Sequence, residues 1–252
     1  MKKFNLIVLS VFACIASANA QIDGDEGFGQ KPKSTTVTQN QGGKRIKVVT
    51  KNYNYELSVG PRAGVGISTM SEGTGLDIYD GSGISFGGGA AANIRFGGKD
   101  SRGRALDGQG LLGVGLELNY KNMSVKTKPG DKLKMSYFEV PVLLQVYPCY
   151  NSKQLKNMYI EAGVTFAGTL SASPDKINYQ RATYATGDLK GFDIRPTLGI
   201  GYRINKNSAN DGFYVGARYY LGTCELAKNF PGKMSCAEIS VGYLFKCIGT
   251  KK

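Results

Sequence analysis

The chain has 252 residues, a formal net charge of +13 and no histidine. Without histidine, Ser-His-Asp hydrolysis, Cys-His nucleophiles and most zinc sites are excluded, so an enzyme is not expected and no catalytic, metal or cofactor site is predicted. Only 41% of the residues are apolar, and beyond the N-terminus no stretch reaches the 18 or more apolar residues that a membrane-spanning helix needs.

The first twenty residues have the organisation of a secretory signal peptide. Lys2 and Lys3 form the charged region, residues 4–16 form the apolar region, and Ala18-Asn19-Ala20 is a small-residue cleavage site. We predict cleavage after Ala20 and export through the Sec pathway. An exported protein does not meet nucleic acid, so the basic balance suits either anionic lipid headgroups and surface polysaccharide or a solvated rim.

The mature chain divides by composition into an extension, a main body and a tail. Residues 21–53 are rich in Gln, Gly, Lys and Thr without a clear period, which predicts a flexible N-terminal periplasmic extension. Part of it, residues 44–49, could form a short strand or a basic contact. Residues 54–247 form the predicted barrel described below, and residues 248–252 are a short C-terminal tail.

The main body repeats a pattern of apolar residues at every second position. In the clearest segment Ile194, Leu198 and Ile200 alternate with Arg195 and Thr197. Eight such segments are predicted, at residues 56–65, 84–96, 114–119, 133–147, 158–170, 192–203, 213–221 and 238–245. An exported chain of alternating strands without an apolar helix is typical of an all-β, eight-stranded antiparallel up-and-down transmembrane β-barrel in the bacterial outer membrane. Ten strands remain an alternative, since residues 44–49 and the long loops could add a pair.

The composition of the two strand faces indicates which one contacts lipid. The polar face carries Gly, Ser, Glu and Arg but almost no Lys, which suits a crowded lumen better than a water-facing exterior. We therefore expect the apolar face outward, with both termini in the periplasm and external loops at residues 69–83, 122–131, 171–188 and 224–233. Tyrosines near predicted strand ends suggest aromatic girdles: Tyr120, Tyr137, Tyr147, Tyr202 and Tyr243.

Several strand sequences resemble those of a known family. Tyr137-Phe138-Glu139-Val140-Pro141-Val142-Leu143-Leu144, the strand ending Gly199-Ile200-Gly201-Tyr202 and the closing Val241-Gly242-Tyr243-Leu244-Phe245 are similar to strands of PorT-like, porin-family outer-membrane β-barrel proteins of Bacteroidetes. The resemblance covers about residues 55–245. It implies an outer-membrane barrel and a connection with a secretion system of that phylum.

The inferred lumen contains an almost balanced set of charges. Its predicted members are Glu56, Arg62, Arg95, Glu117, Glu139, Glu161, Asp193, Arg195, Arg203, Arg218 and Glu238. The interior of an eight-stranded barrel is just wide enough for side chains to fill it, and charges outside bulk water must be paired. We expect a lumen plugged by salt bridges. The alternative is that these carboxylates line a path for protons or substrate.

Four cysteines remain in the predicted mature chain, and the periplasm permits disulfides. Cys224 and Cys236 flank the predicted last external loop and are a candidate disulfide. Cys149 and Cys247 fall on the periplasmic side, but their strands are expected on opposite sides of the barrel, so whether they pair is left open.

Two functional classes remain. The first is a structural or binding scaffold, accessory to secretion or surface assembly, which contacts other envelope proteins through its external loops. The second is a small porin-like channel for passive diffusion of solutes. In both cases we expect a monomer whose partners are outer-membrane lipid and envelope or secretion-system proteins.

Overall fold

The computed structural model describes most of the chain after residue 32. It covers residues 33–41, 44–52, 55–71, 79–99, 105–106, 110–128, 130, 132–150, 152, 154–173, 176–179, 182–185, 191–205, 212–226 and 232–248. The signal peptide, the predicted cleavage after Ala20 and tail residues 249–252 lie outside these ranges.

Eight antiparallel strands close into one barrel, which confirms the predicted fold class. They are β1 (Tyr55–Ser71), β2 (Tyr79–Phe96), β3 (Leu112–Thr127), β4 (Lys132–Val146), β5 (Met158–Ser173), β6 (Phe192–Asn205), β7 (Gly212–Tyr220) and β8 (Lys233–Ile248). Each strand pairs with the next in sequence, and β8 pairs with β1 to close the ring. We call the end where β1 begins and β8 ends the terminal end, and the opposite end the loop end.

Three short hairpins stand outside the barrel sheet. They pair Lys33–Gln41 with Lys44–Asn52, Gly98–Lys99 with Ala105–Leu106, and Lys176–Tyr179 with Ala182–Ala185. The first lies within the segment predicted to be a flexible extension and includes the short strand expected at residues 44–49. Among the described strands it pairs only within itself, so the ring has eight strands and not ten.

The strands extend further into the loop end than the sequence predicts. β3 continues to Thr127 and β4 begins at Lys132, although residues 122–131 were expected to be a loop. The reason is a reversal of polarity: Met123 and Val125 face inward here, while Lys126 is exposed on the outside. The alternation with a period of two persists, but here the apolar residues face inward and the polar residues face outward. The sequence pattern therefore did not predict this part of the strand. In the same way β1 runs to Ser71 and β2 starts at Tyr79.

The outer face of the barrel is apolar, as the alternation predicts. Large exposed side chains cover it, among them Val65, Ile84, Leu198, Phe213 and Ile239. Among the described residues no helix is long and apolar enough to span a membrane.

The aromatic girdle prediction is wrong for two of its five members. Tyr137 and Tyr147 point into the lumen and are only 1% and 0% exposed. On the outside near the terminal end, the ring of Tyr243 lies 5.0 Å from that of Phe213 and 4.7 Å from that of Phe245. A tyrosine near a strand end thus joins the girdle only when its position in the alternation faces outward.

We predict that Leu198→Arg destabilises the barrel by about 2–4 kcal/mol in lipid, because a charge on the lipid-facing side of a strand centre must leave water. Leu198 is 64% exposed in the middle of β6. Folded fraction across a urea titration in lipid vesicles measures the effect, and Leu198→Val is the matched control. Equal stability of the arginine variant and the wild type would show that this face does not contact lipid.

Candidate functional site

The candidate site is the lumen, where the inner faces of all eight strands meet. The structure places all eleven predicted lumen residues on the inner face, and none is more than 7% exposed. Charges buried this deeply require partners, because an isolated charge out of water is very costly. The arrangement of these partners therefore decides what the lumen can do.

Sequence reasoning missed one charge. Lys121 follows Glu117 and Asn119 on the inner face of β3 and is 1% exposed. It brings the buried cations to six, equal to the six predicted acidic residues. The signal was available, because extending the alternation of β3 by one step places Lys121 inside, but the general absence of lysine from polar faces argued against it.

A continuous chain of ion pairs begins at the loop end of this set. Arg195 contacts Asp193 Oδ2 at 2.7 Å through Nε and Glu139 Oε1 at 2.8 Å through Nη1. Lys121 Nζ lies 3.6 Å from Glu139 Oε2 and 2.8 Å from Glu238 Oε2. Rings support these cations: the Arg195 guanidinium lies over Tyr137, and Lys121 Nζ lies over Tyr220.

The chain continues across the barrel from Glu238. Arg62 pairs with Glu238 through Nη2 and with Glu117 Oε2 at 3.1 Å through Nη1. The same Glu117 oxygen lies 2.7 Å from Nη1 of Arg218, whose Nε pairs with Glu161. Each arginine thus joins two carboxylates, so the pairs form one connected network and not isolated bridges.

Neutral side chains complete this network towards the terminal end. Gln145 donates a hydrogen bond to Glu161 Oε2 at 3.0 Å, and Gln145 Oε1 accepts hydrogen bonds from Asn93, from Tyr147 at 3.0 Å and from Arg203 at 3.3 Å. With Asn93 on β2, every strand contributes at least one member. We call this connected set of side chains the lumen network. It begins with Asp193 towards the loop end and ends with Arg203 towards the terminal end.

Small residues on the intervening strands let the ion pairs form. Arg218 on β7 and Glu161 on β5 are both direct register partners of Gly199 on β6, and their contact passes over it. A Cβ at Gly199 would lie 2.9 Å from Arg218 Cγ and 2.9 Å from Glu161 Oε1. The glycine therefore makes room for the ion pair.

Strand β2, whose centre is almost entirely Gly and Ala, follows the same rule. The Arg62–Glu117 pair joins β1 to β3 across it, above Gly89 and Ala91, which are the register partners of these two residues. The pair between Lys121 and Glu238 also passes β2, where Lys121 lies opposite Gly87. The Gly and Ala residues of β2 thus leave the space through which long charged side chains of the neighbouring strands reach one another.

At the loop end the lumen is filled by apolar side chains. Four of the six methionines in the chain belong to this buried cluster, which we call the methionine plug. Met123 and Met135 are register partners, as are Met70 and Met234. The members of the plug are Met70, Met123, Val125, Leu133, Met135, Tyr137, Ala167, Tyr220, Leu226, Met234 and Cys236.

At the terminal end two arginines close the lumen against aromatic rings. Arg95 lies 3.7 Å over the centroid of the Tyr147 ring and donates hydrogen bonds to the carbonyl oxygens of Gly110 and Lys156, which belong to the connections outside the barrel. Arg203 lies 5.6 Å from the Tyr147 centroid. This end is therefore tied to its turns by the same side chains that fill it.

A small cavity lies between the lumen network and the terminal end. A cavity of about 20 Å³ lies among Asn93, Gln145, Tyr159, Arg203 and Tyr214, with Glu117 and Arg218 also on its wall. Such a volume holds about one water molecule. Among the described residues no three His, Cys, Asp or Glu side chains are grouped to hold a metal ion. The lumen is built as a packed polar core.

The predicted disulfide is not formed, and Cys224 and Cys236 are both free thiols. Cys236 points into the lumen, where its Sγ lies 2.9 Å from Ser85 Oγ. The register partner of Cys236 on β7 is Tyr220, so Cys224 lies four residues beyond the paired position, where its N–H donates to Asp193 Oδ1. Cys149 and Cys247 are also free.

The sequence matches the family described as outer membrane protein beta-barrel domain over residues 39–223, which is nearly three quarters of the chain. This protein belongs to the outer-membrane β-barrel family. Its apolar exterior consequently faces the lipid of a bacterial outer membrane, and its charged interior is the core of a membrane protein. A comparison with curated protein sequences gave no match.

Solved structures of small outer-membrane barrels are distantly similar to this one. Neisserial surface protein A has 12% identity and a TM-score of 0.40, with 74% of this chain and 97% of that chain covered. The attachment invasion locus protein of Yersinia pestis, solved with a heparin analogue, has 15% identity and a TM-score of 0.37 over 75% and 99%. OprG from Pseudomonas aeruginosa has 13% identity and a TM-score of 0.38 over 77% and 96%.

We predict that the double variant Arg195→Ala, Arg218→Ala loses roughly 3–5 kcal/mol for each arginine removed. The cause is that Asp193, Glu139, Glu117 and Glu161 each lose a buried cationic partner. Urea titration of the folded barrel measures the loss. Lys134→Ala, which removes an exposed lysine of β4, is the control and should change stability by about 0.5 kcal/mol or less. An unchanged double variant would refute the network.

Proposed function

We propose that this barrel is a closed scaffold that binds other envelope components, and that it is neither an enzyme nor a channel. The observation that carries the proposal is the filled lumen. Along the barrel axis the methionine plug is followed by the lumen network, and then by Arg95 and Arg203 against the ring of Tyr147. The function of such a barrel must then lie on its surface.

The burial of the charges supports a closed lumen. In a water-filled channel, lumenal arginines and lysines would be accessible to solvent, whereas Arg195 is 0% and Lys121 1% exposed. An ion that crosses the barrel would have to break the contacts of arginines that each bind two carboxylates. It would then have to pass the plug, whose members are mostly apolar side chains that replace little of the water around an ion.

The loop end is the surface that we assign to binding. Loops on a rigid scaffold are common binding sites, and the network holds all eight strands in place beneath them. With both termini in the periplasm, this end faces the outside of the cell. The longest connection there contains the hairpin of Lys176–Tyr179 and Ala182–Ala185, which forms a two-stranded sheet separate from the barrel.

The resemblance of residues 137–144 to PorT-like proteins supports a more specific role, as an accessory of secretion or surface assembly. The strand that carries this resemblance contributes Tyr137 and Glu139 to the lumen, so the similar residues include members of the plug and of the network. In this role the barrel positions partner proteins at the membrane and transports nothing itself.

We predict that the purified, folded protein produces no conductance steps in a planar bilayer, because the lumen has no continuous water path. Insertion is verified by flotation of the same preparation with lipid vesicles. The Arg195→Ala, Arg218→Ala variant provides the comparison, since it removes two charged side chains from the centre of the lumen. Steady steps from the wild-type protein would overturn the scaffold proposal and establish the porin-like channel.

We also predict that a photoreactive amino acid at Tyr179, in the hairpin at the loop end, forms discrete crosslinks to protein in intact cells. The same amino acid at Leu198, which faces lipid, is the matched control and should form no protein adduct of defined mass. The readout is the mass of the adducts on a denaturing gel. Identical patterns from both positions would contradict the assignment of binding to the loop end.

A further inference from the structure

Two buried arginines at the terminal end are not neutralised by the lumen network. The other arginines of the network, Arg62, Arg195 and Arg218, each contact two carboxylates. Among the described residues no carboxylate lies within salt-bridge distance of Arg95 or Arg203, although these arginines are only 1% and 3% exposed. A guanidinium is always charged in proteins, so these two charges need another source of compensation.

The unused hydrogen-bond donors of these arginines are themselves buried. Arg203 donates one hydrogen bond, from Nη2 to Gln145 Oε1 at 3.3 Å, while its Nε and Nη1 have no partner. Arg95 uses Nε and Nη2 on backbone carbonyl groups, and its Nη1 has no partner. Three guanidinium nitrogen atoms therefore have no hydrogen-bond partner at one end of the lumen, where leaving a buried donor unpaired is expensive.

Both guanidinium groups share one aromatic ring. Their Cζ atoms lie 3.7 Å and 5.6 Å from the Tyr147 centroid, which places the two charges within about 9 Å of each other. A cation–π contact attracts each of them but carries no negative charge. The nearest strand partner of Arg95 is Glu56, whose carboxylate also contacts Lys246 at 3.4 Å. Glu56 is therefore shared between Arg95 and a second cation.

The small cavity provides the space for a counter-charge. Arg203, Tyr159 and Tyr214 line this cavity. The hydroxyl group of Tyr214 is buried and has no hydrogen-bond partner. Glu117 is also on the wall, but Arg62 and Arg218 already compensate its charge. A volume of about 20 Å³ admits a particle of about the size of one water molecule and excludes phosphate, sulfate or an organic acid.

We propose that the terminal end of the lumen binds one small monovalent anion of the size of chloride, held by Arg203 with the Tyr214 hydroxyl and attracted by Arg95. The anion completes the neutralisation of the lumen and is a structural ligand of the barrel. This site goes beyond the scaffold function, since it concerns the charge inside the lumen and not the binding surface at the loop end.

The test compares heat stability of the folded wild-type protein in sodium chloride and in sodium gluconate at equal ionic strength. Gluconate is too bulky for the cavity. We expect the unfolding temperature to be higher in chloride and the gain to grow with the logarithm of the chloride concentration, reaching about 5 °C when chloride exceeds its dissociation constant by about 100-fold. Equal unfolding temperatures in the two salts would overturn the proposal.

Substitutions of single arginines test where the chloride ion binds. Arg203→Gln and Arg95→Gln should lose the chloride-dependent gain, whereas Arg195→Gln should keep it, because Arg195 is already compensated by Asp193 and Glu139. A gain that persists in Arg203→Gln would place the anion elsewhere and refute the site. Because a variant can fail to fold, wild-type crystals grown in bromide give a second readout. We expect an anomalous peak beside Arg203, and its absence there would overturn the proposal.

Discussion

The width of an eight-stranded barrel is the constraint on which the rest of this structure depends. Its interior holds side chains but not bulk water, so every charge that the alternation places inside must find its partner there. Arginine satisfies this requirement well, since one planar guanidinium reaches two carboxylates at once. The lumen network uses this property at Arg62, Arg195 and Arg218, and through it joins strands that do not pair with each other.

The same constraint explains the glycines. Long charged side chains can reach each other across a strand only where that strand has a small side chain or none. Gly87, Gly89 and Gly199 lie at such positions. Glycine inside a strand normally weakens it. Here the cost is offset by ion pairs that would otherwise be blocked, so the distribution of glycine follows from the distribution of charge on neighbouring strands.

The layers of the lumen connect this packing with function. An apolar plug at the loop end, a polar network in the centre and arginines on tyrosine rings at the terminal end each exclude water by a different means. Under the proposed scaffold function, these layers stabilise the barrel from within, and binding is left to the loops and hairpins.

The sequence by itself determined the barrel and its inner face, because a period of two with charges on one side has few other solutions in an exported chain, whereas the closed ring of the structure decided for eight strands over ten. It identified eleven buried charges correctly by position, but it missed Lys121. Only the tertiary structure decided the ion-pair partners, the fate of the cysteines and the methionine plug. Partners on β1 and β3, or on β5 and β7, are set by closure and register, which local alternation does not contain. The plug was not predicted because the inner face of β3 and β4 changes from polar to apolar towards the loop end.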